Sequence, residues 1–258
     1  MLGVSGPALA QSPAINWTGF YAGVHAGAAW GHANADTNSN CSQSSGFYYC
    51  SPFSSSANAD AVNASGTGKL SDTGFNGGFQ AGYNWQASQF VFGLEGDIGL
   101  FRLHGSRNGG GLYPVADGAV SSTDRYNVGS TFETDWLATY RGRIGWAQNN
   151  WLFYVTGGGA TTRLQTSLSF TDDNGPTGAR GNGSASTTKN GWVLGGGIEW
   201  MLSQNWTVKA EYLHVDFGSI AASASISNPG IAPGYAHGIS TSTKLNADIL
   251  RLGVNYKF

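Results

Sequence analysis

The sequence predicts an all-β fold: an eight-stranded antiparallel up-and-down barrel that crosses a membrane with its strands. Three observations carry this expectation. The chain closes on Leu250-Arg251-Leu252-Gly253-Val254-Asn255-Tyr256-Lys257-Phe258, where every second residue is apolar and the others are polar, charged or Gly. One face of such a strand suits hydrocarbon and the other a polar interior. Only 11% of the 258 residues are charged, whereas a soluble domain carries about 25%, so much of the surface is expected to face something other than water. Finally, short and long connections alternate along the chain, as the turns and loops of membrane barrels do.

Composition narrows the class further. There are 40 glycines, and aromatic residues make up 13% of the chain. The mean hydropathy is only −0.20, and no run of about 18 apolar residues occurs, so no transmembrane helix is expected. A strand-built barrel hides its apolar content in alternation and gives a weak hydropathy signal. The net charge of −2 argues against nucleic acid as a partner.

Eight segments alternate with period two. Thr18 to Gly31 sets Phe20, Ala22, Val24, Ala26, Ala28 and Trp30 on one face. Gly74 to Gln86 sets Phe79, Ala81, Tyr83 and Trp85 against Asn76, Gln80, Asn84 and Gln86. Phe90 to Leu103 opposes Phe92, Leu94, Ile98 and Leu100 to Glu95 and Asp97; Phe132 to Ala147 opposes Trp136, Ala138, Tyr140, Ile144 and Trp146 to Thr139, Arg141 and Arg143. The fifth runs from Trp151 to near Gln165, and the sixth, from near Lys189 to Leu202, places Glu199 opposite Trp192, Leu194, Ile198 and Trp200. Trp206 to Phe217 carries Lys209 and Glu211 on its polar face, and the terminal strand carries Arg251 and Asn255. Each is expected to be about 10–15 residues long, enough to cross a bilayer when tilted.

Between them, 87–89, 148–150 and 203–205 read as short polar turns, and 32–73, 104–131, 166–188 and 218–243 as long loops rich in Gly, Ser, Thr, Asn and Ala. Outer-membrane barrels have short periplasmic turns and long extracellular loops. The expected placement is therefore a bacterial outer membrane, with loops extracellular and termini periplasmic. Residues 1–10 read as the tail of a secretory signal, because Ala8-Leu9-Ala10 before Gln11 has the small-x-small form of a cleavage site. Residues 11–16 then form a periplasmic segment, and 17–258 the barrel.

The aromatics gather beside the short turns: Trp17, Trp85, Trp146, Trp151, Trp200, Trp206, Tyr256 and Phe258. They are expected to form a girdle in contact with outer-membrane lipid. The strand charges sit on the opposite face. Glu95, Asp97, Glu199 and Glu211 supply acids and Arg141, Arg143, Lys209 and Arg251 bases. In an eight-stranded lumen, just wide enough for side chains, such charges persist only when paired. An ion-pair network filling the barrel is expected, with pairs such as Glu95 and Arg141 or Arg143. The alternative is that these groups line a narrow solute path.

Two cysteines, Cys41 and Cys50, lie close together in a polar stretch. In an exported protein they read as a disulfide closing a small loop, stabilising by about 2–3 kcal/mol on the chain-entropy model. No further Cys or His stands at zinc spacing, so neither a metal nor another cofactor is expected. The same loop carries Phe47-Tyr48-Tyr49 and Phe53, a candidate aromatic contact patch. The glycine triplets 157–159 and 195–197 read as relief of crowding on curved strands and not as a phosphate loop, since no helical pattern follows them.

Trp17-Thr18-Gly19-Phe20-Tyr21-Ala22-Gly23-Val24 resembles the first strand of the small porin-family outer-membrane proteins of alphaproteobacteria, relatives of the opacity-type surface antigens with an OmpA-like barrel. Phe79-Gln80-Ala81-Gly82-Tyr83-Asn84-Trp85 and Phe92-Gly93-Leu94-Glu95-Gly96-Asp97 are similar to the second and third strands of that family. Trp192 to Glu199 and Lys209-Ala210-Glu211-Tyr212 are similar to the sixth and seventh. The resemblance implies surface exposure, antigenicity and a structural envelope role. It also implies recognition of the C-terminal strand, ending in Phe258, by the outer-membrane assembly machinery.

The leading functional expectation is a non-enzymatic surface barrel displaying loops for adhesion or contact with a host or neighbouring cell. The second is a narrow channel or a small-ligand, haem-binding uptake protein, with His32, His104 or His237 as loop ligands. A lipid-modifying enzyme would need a nucleophile beside His214 and Asp216, and no serine motif converges there.

Overall fold

The computed structural model describes residues 16–41, 56–116, 120–230 and 236–258. Eight strands make one closed antiparallel ring: β1 (Gly19–Asn40), β2 (Gly68–Ala87), β3 (Phe90–Leu112), β4 (Arg125–Gln148), β5 (Trp151–Asp172), β6 (Arg180–Met201), β7 (Trp206–Ser227) and β8 (Ala236–Lys257). Among the described residues one short helix, α1 (Ala57–Gly66), lies between β1 and β2. Each strand pairs with its sequence neighbour, and β8 closes the ring on β1, from Tyr21 opposite Lys257 to Asn40 opposite Gly238.

The strands are 20 to 24 residues long, so the expected length of a bare membrane crossing is corrected upward. Residues expected as loop, such as 32–40, 104–112 and 218–227, are strand. In β7 the stretch Gly218-Ser219-Ile220-Ala221-Ala222-Ser223-Ala224-Ser225-Ile226-Ser227 alternates like any strand, with Ile220, Ala222, Ala224 and Ile226 buried. Its Ala/Ser alternation carries so little hydrophobic contrast that it reads as loop. The extended connections shrink to 41–67, 113–124, 173–179 and 228–235, and the short turns are 88–89, 149–150 and 202–205. Ser88 and Asn149 take φ of 58° and 53°, the left-handed conformation that two-residue hairpin loops require.

The barrel wall reverses its polarity partway up. Over the half nearest the short turns, the outward residues are bulky and apolar: Phe20, Phe79, Phe92, Leu94, Ile98, Ile144, Phe153, Leu252 and Val254 are all exposed. In β3 this stretch runs from Phe90 to Leu100; eleven tilted residues span about 25 Å, the height of a membrane barrel's apolar band. Above it, outward positions turn polar (His32, Asn34 and Asp36; His104, Ser106 and Asn108; Ser223 and Ser225), and the inward ones become mainly apolar, with buried hydroxyls such as Thr37, Thr166, Thr241 and Thr243 bonded among them.

The switch is marked by adjacent apolar pairs, one member facing out and the other in: Ala29-Trp30, Leu100-Phe101, Trp136-Leu137, Trp192-Val193, Tyr212-Leu213 and Ile249-Leu250. Strand pairing is irregular at the same height. Bulges fall between Leu100 and Leu103 on β3 and between Thr134 and Leu137 on β4. On β7, between Asp216 and Ser219, Gly218 sits at φ 66° with its N–H donated to Asp216 Oδ1 at 2.7 Å. A left-handed residue inside a bulge is a position where glycine is strain-free.

The upper interior is a packed apolar core. Phe101, Leu103, Phe132, Leu137, Leu164, Leu213, Val215, Phe217, Leu245 and Ile249 form its centre. A second cluster closes the top, where Val62 and Ala59 of α1 meet Tyr126, Val128, Phe170, Ile226 and Ile239. Neutral hydrogen bonds seat the helix: Asn58 Nδ2 donates to the Val115 carbonyl at 3.0 Å, and Asn63 Oδ1 accepts from the Ser39 amide at 2.8 Å. Phe101→Ala, which opens a cavity in this core, is expected to cost about 3–5 kcal/mol, read as a lowered urea midpoint in detergent micelles. Phe79→Ala, whose ring is 71% exposed on the outer wall, should move that midpoint far less.

Candidate functional site

Inside the lower half, eight ionisable side chains meet: Glu95 and Asp97 from β3, Arg141 and Arg143 from β4, Glu199 from β6, Lys209 and Glu211 from β7, and Arg251 from β8. All point into the lumen, because each stands on the parity opposite the exposed Phe, Leu and Trp residues of its strand. None is more than 7% exposed. Four carboxylates and four cations balance, so the belt carries no net charge.

The pairing is dense. Glu95 stands directly opposite Arg141 in the β3–β4 register and pairs with it. It also accepts from Lys209 Nζ at 2.8 Å and from the Tyr21 hydroxyl at 2.7 Å. Asp97 holds Arg141 at 2.8 Å, Arg251 at 3.0 Å and the Thr139 hydroxyl at 2.7 Å. Glu211 pairs with Arg251 at 2.6 Å and Arg141 at 3.1 Å, and the Tyr154 hydroxyl donates to it at 2.9 Å. Glu199 takes Arg143 at 3.0 Å, with Thr207 and Asn255 completing its acceptor sites.

These contacts link β3 with β7 and β8 across the ring, so the belt braces the barrel from within. Sequence reasoning misses Tyr21, His25 and Tyr154, which complete it. Arg143 lies over the rings of Tyr21 and Tyr154, at 4.8 and 5.2 Å from their centroids. His25 Nε2 lies 3.2 Å from Arg251 Nη1. Their inward parity was readable, but Tyr and His on a barrel strand suit either face.

The belt is sealed at both ends. Above it lies the apolar core. Below it, Trp17 packs into the mouth on the short-turn side against Val91, Ala147, Leu152, Tyr154 and Met201, and its amide donates to Gln86 Oε1 at 2.7 Å. Trp17 is 1% exposed, so its expected place in the aromatic girdle is corrected. It precedes the first paired strand residue and folds inward, where it excludes water instead of facing lipid. Trp85, Trp146, Trp151, Trp200, Trp206, Tyr256 and Phe258 are exposed on the outer wall next to the short turns. Trp151 stacks on Trp200 with centroids 5.6 Å apart, and Trp206 meets Tyr256 edge-on at 5.2 Å. A second set of aromatics, which the sequence reading did not single out, rims the other edge of the apolar band with Trp30, Phe75, Trp192 and Tyr212. For Trp30, Trp192 and Tyr212 the signal is the apolar doublets.

The three histidines considered for haem do not converge. His32 and His104 stand on the outer wall of β1 and β3, whereas His237 is buried inside β8. His214 does not pair with Asp216; its Nδ1 meets Asp248 Oδ1 at 2.8 Å, while Asp216 pairs with Lys244 at 3.3 Å. Among the described residues, no three His, Cys, Asp or Glu side chains form a metal-binding group. Cys41, just past the end of β1, is disulfide-bonded. Cys50, Phe47, Tyr48, Tyr49 and Phe53 lie outside the described residues, as does the expected signal segment 1–10.

At the top of the barrel, Asp172 accepts from the Tyr113 hydroxyl at 2.8 Å and from the Ala179 amide at 2.7 Å. Burial pushes its carboxyl up to about 6 from an ordinary 3.8.

A closed, eight-stranded ring with lipid-facing aromatics outside and a neutral ion-pair belt inside defines a class, the outer-membrane β-barrel. The chain belongs to the outer membrane protein beta-barrel domain family, whose family model matches residues 1–258. It is similar to the 31 kDa outer-membrane immunogenic protein of Brucella melitensis, with 30% identity over 98% of this chain and 89% of that one. It is also similar to the 22 kDa outer membrane protein of Rhizobium leguminosarum, with 29% identity over 57% of this chain and 54% of that one. Among solved structures, the outer membrane protein OprG of Pseudomonas aeruginosa matches 95% of this chain and 98% of its own at 12% identity and a TM-score of 0.41. The protein is thus an outer-membrane barrel of an immunogenic surface-protein family.

Two outcomes follow from this geometry. Arg251→Met strands Glu211 and Asp97 as buried charges, and is expected to cost about 3–5 kcal/mol in micelle unfolding; adding Glu211→Gln should recover part of that loss. For Asp172, the folded carboxyl holds its proton more tightly than the unfolded one. Its stabilising contribution is full below about pH 4, declines as pH rises toward about 6 and is constant above. Asp172→Asn should flatten that part of the melting-temperature profile.

Proposed function

We propose that the protein is a non-enzymatic envelope barrel that presents the polar upper wall and its loops outward, for adhesion or contact with a host or neighbouring cell. The observation that supports this most is the blocked lumen. A salt-bridged belt, a largely apolar core above it and Trp17 below it fill the described interior with side chains. What the barrel offers its surroundings is its exterior. The short turns face the periplasm in this reading, and the connection between β1 and β2, with Phe47, Tyr48, Tyr49 and Phe53, is the contact segment. Aromatic residues set among Ser and Asn make adaptable contact surfaces at low entropic cost. The C-terminal strand, which ends in Phe258, is what the outer-membrane assembly machinery would recognise.

Replacing Phe47, Tyr48, Tyr49 and Phe53 together with Ser should reduce adhesion of barrel-expressing cells while leaving the amount of folded barrel unchanged. Undiminished adhesion removes the patch from the proposal. In planar bilayers, the native barrel and the Arg141→Ala/Arg143→Ala variant should both conduct negligibly. Stepwise conductance in the native protein would reinstate the channel.

A further inference from the structure

A cluster of titratable side chains lies outside the lumen and outside the loops. It sits on the outer wall where β7, β8 and β1 adjoin, at the level where the wall turns from apolar to polar. Leu250 and Leu252 lie below it on β8, and Asn246 and Lys244 above it. Trp30 and Trp192, both exposed, flank it. That level is where lipid headgroups meet a membrane barrel.

Asp248 is the hub. Its Oδ1 accepts from the Tyr212 hydroxyl at 2.6 Å and faces His214 Nδ1 at 2.8 Å; its Oδ2 lies 3.8 Å from His32 Nε2. A carboxylate only accepts, so His214 carries a proton on Nδ1 and leaves Nε2 as the ring's second nitrogen. The His214 ring leans on Trp192 with centroids 5.4 Å apart. Next to the hub, Lys244 Nζ pairs with Asp216 Oδ2 at 3.3 Å. The charged and titratable groups joined by these contacts are His32 from β1, Tyr212, His214 and Asp216 from β7, and Lys244 and Asp248 from β8; above His32 on the same wall stand the exposed Lys69 of β2 and Asp36 of β1, outside these contacts. At the same height β2 and β6 contribute Ser71 opposite His32 and Trp192 opposite Asp216.

Among the groups joined by these contacts, with both imidazoles neutral, one ammonium stands against two carboxylates. With both protonated, three cations stand against the same two. Histidine is the side chain whose charge changes in this range of pH. Proton uptake also turns His214 Nε2 from an acceptor into a second donor. The side chains of His32 and His214 are 55% and 35% exposed, so a ligand can reach both rings.

We propose that His32 and His214, both held against Asp248, together with Lys244, which pairs with Asp216 on the same wall, form a proton-gated site for the phosphate of a lipid headgroup on the outer wall of the barrel. In acid, the two imidazolium groups and the ammonium bind the phosphate while Asp248 holds His214 in place. At neutral pH, the excess carboxylate repels it. The site lies at headgroup height, so the ligand is a membrane lipid and not a dissolved anion.

The test uses the full chain refolded in phosphatidylcholine vesicles, with spin-labelled phosphatidylglycerol and phosphatidylcholine as probes. The phosphodiester keeps its charge across the range, so any change with pH belongs to the protein. The preference for phosphatidylglycerol is expected to rise about threefold between about pH 7.5 and about pH 5.5. That rise should vanish in His32→Gln/His214→Gln. Asp248→Asn, which removes the opposing charge, should raise the preference already at neutral pH. A rise of equal size in the double histidine variant overturns the proposal. So does an Asp248→Asn variant indistinguishable from native protein, or abolition of the preference by millimolar inorganic phosphate. Far-ultraviolet circular dichroism of each variant confirms that the barrel is intact; these side chains lie on its surface.

Discussion

The constraint on which the structure depends is that one continuous ring of strands meets hydrocarbon over part of its height and water over the rest. A closed barrel satisfies every backbone group between its own strands, so only the side chains have to adapt. They do so by exchanging faces. Below the switch, Leu252 and Val254 look outward while Arg251 and Asn255 look inward; above it, Leu245 and Ile249 look inward while Lys244 and Asn246 look outward. The backbone parity does not change. Only the phase of the apolar pattern does, and paired residues such as Ile249-Leu250 mark the crossing.

The exchange explains why the interior comes in layers. Inside the lipid-facing half, polar side chains must satisfy one another, because lipid offers them nothing and the lumen is too narrow for bulk water. Charge balance and shared partners achieve this, with Glu95, Asp97 and Glu211 each holding more than one cation. A belt of this kind is costly to break at one member, although it need not be more stable than an apolar filling. The upper half uses the ordinary solution found in water, an apolar core closed by α1. In the reading proposed above, function lies on the outer surfaces: the loops, the polar wall and the rim around Asp248.

Much of the candidate site was legible in the chain. The parity of Glu95, Asp97, Arg141, Arg143, Glu199, Lys209, Glu211 and Arg251 opposite bulky apolar neighbours is a local property, and Glu95 with Arg141 needs only adjacent strands in register. The contacts of Asp97 with Arg251 and of Lys209 with Glu95 were not legible. They join strands that are not neighbours in the ring, and depend on how closure and tilt bring levels together across the lumen. Trp17 was misread for a related reason. An aromatic beside a turn suits lipid or the barrel mouth equally, and only the path of the residues before β1 sends it inside. His214 next to Asp216 in the chain pairs instead with Asp248, because β7 and β8 are hydrogen-bonded partners at that height.

By itself the sequence determined the class of fold, the number of strands, the alternation of each and the chemistry of the two faces, because a period of two is written residue by residue. Only the tertiary structure decided the full length of the strands, the level at which inside and outside trade polarity, and which charges meet. Ala, Ser, Gly and Thr alternate with too little contrast to reveal a strand until a neighbouring strand supplies its hydrogen bonds. Partners across a lumen, or around the β1–β8 seam, exist only once the ring has closed.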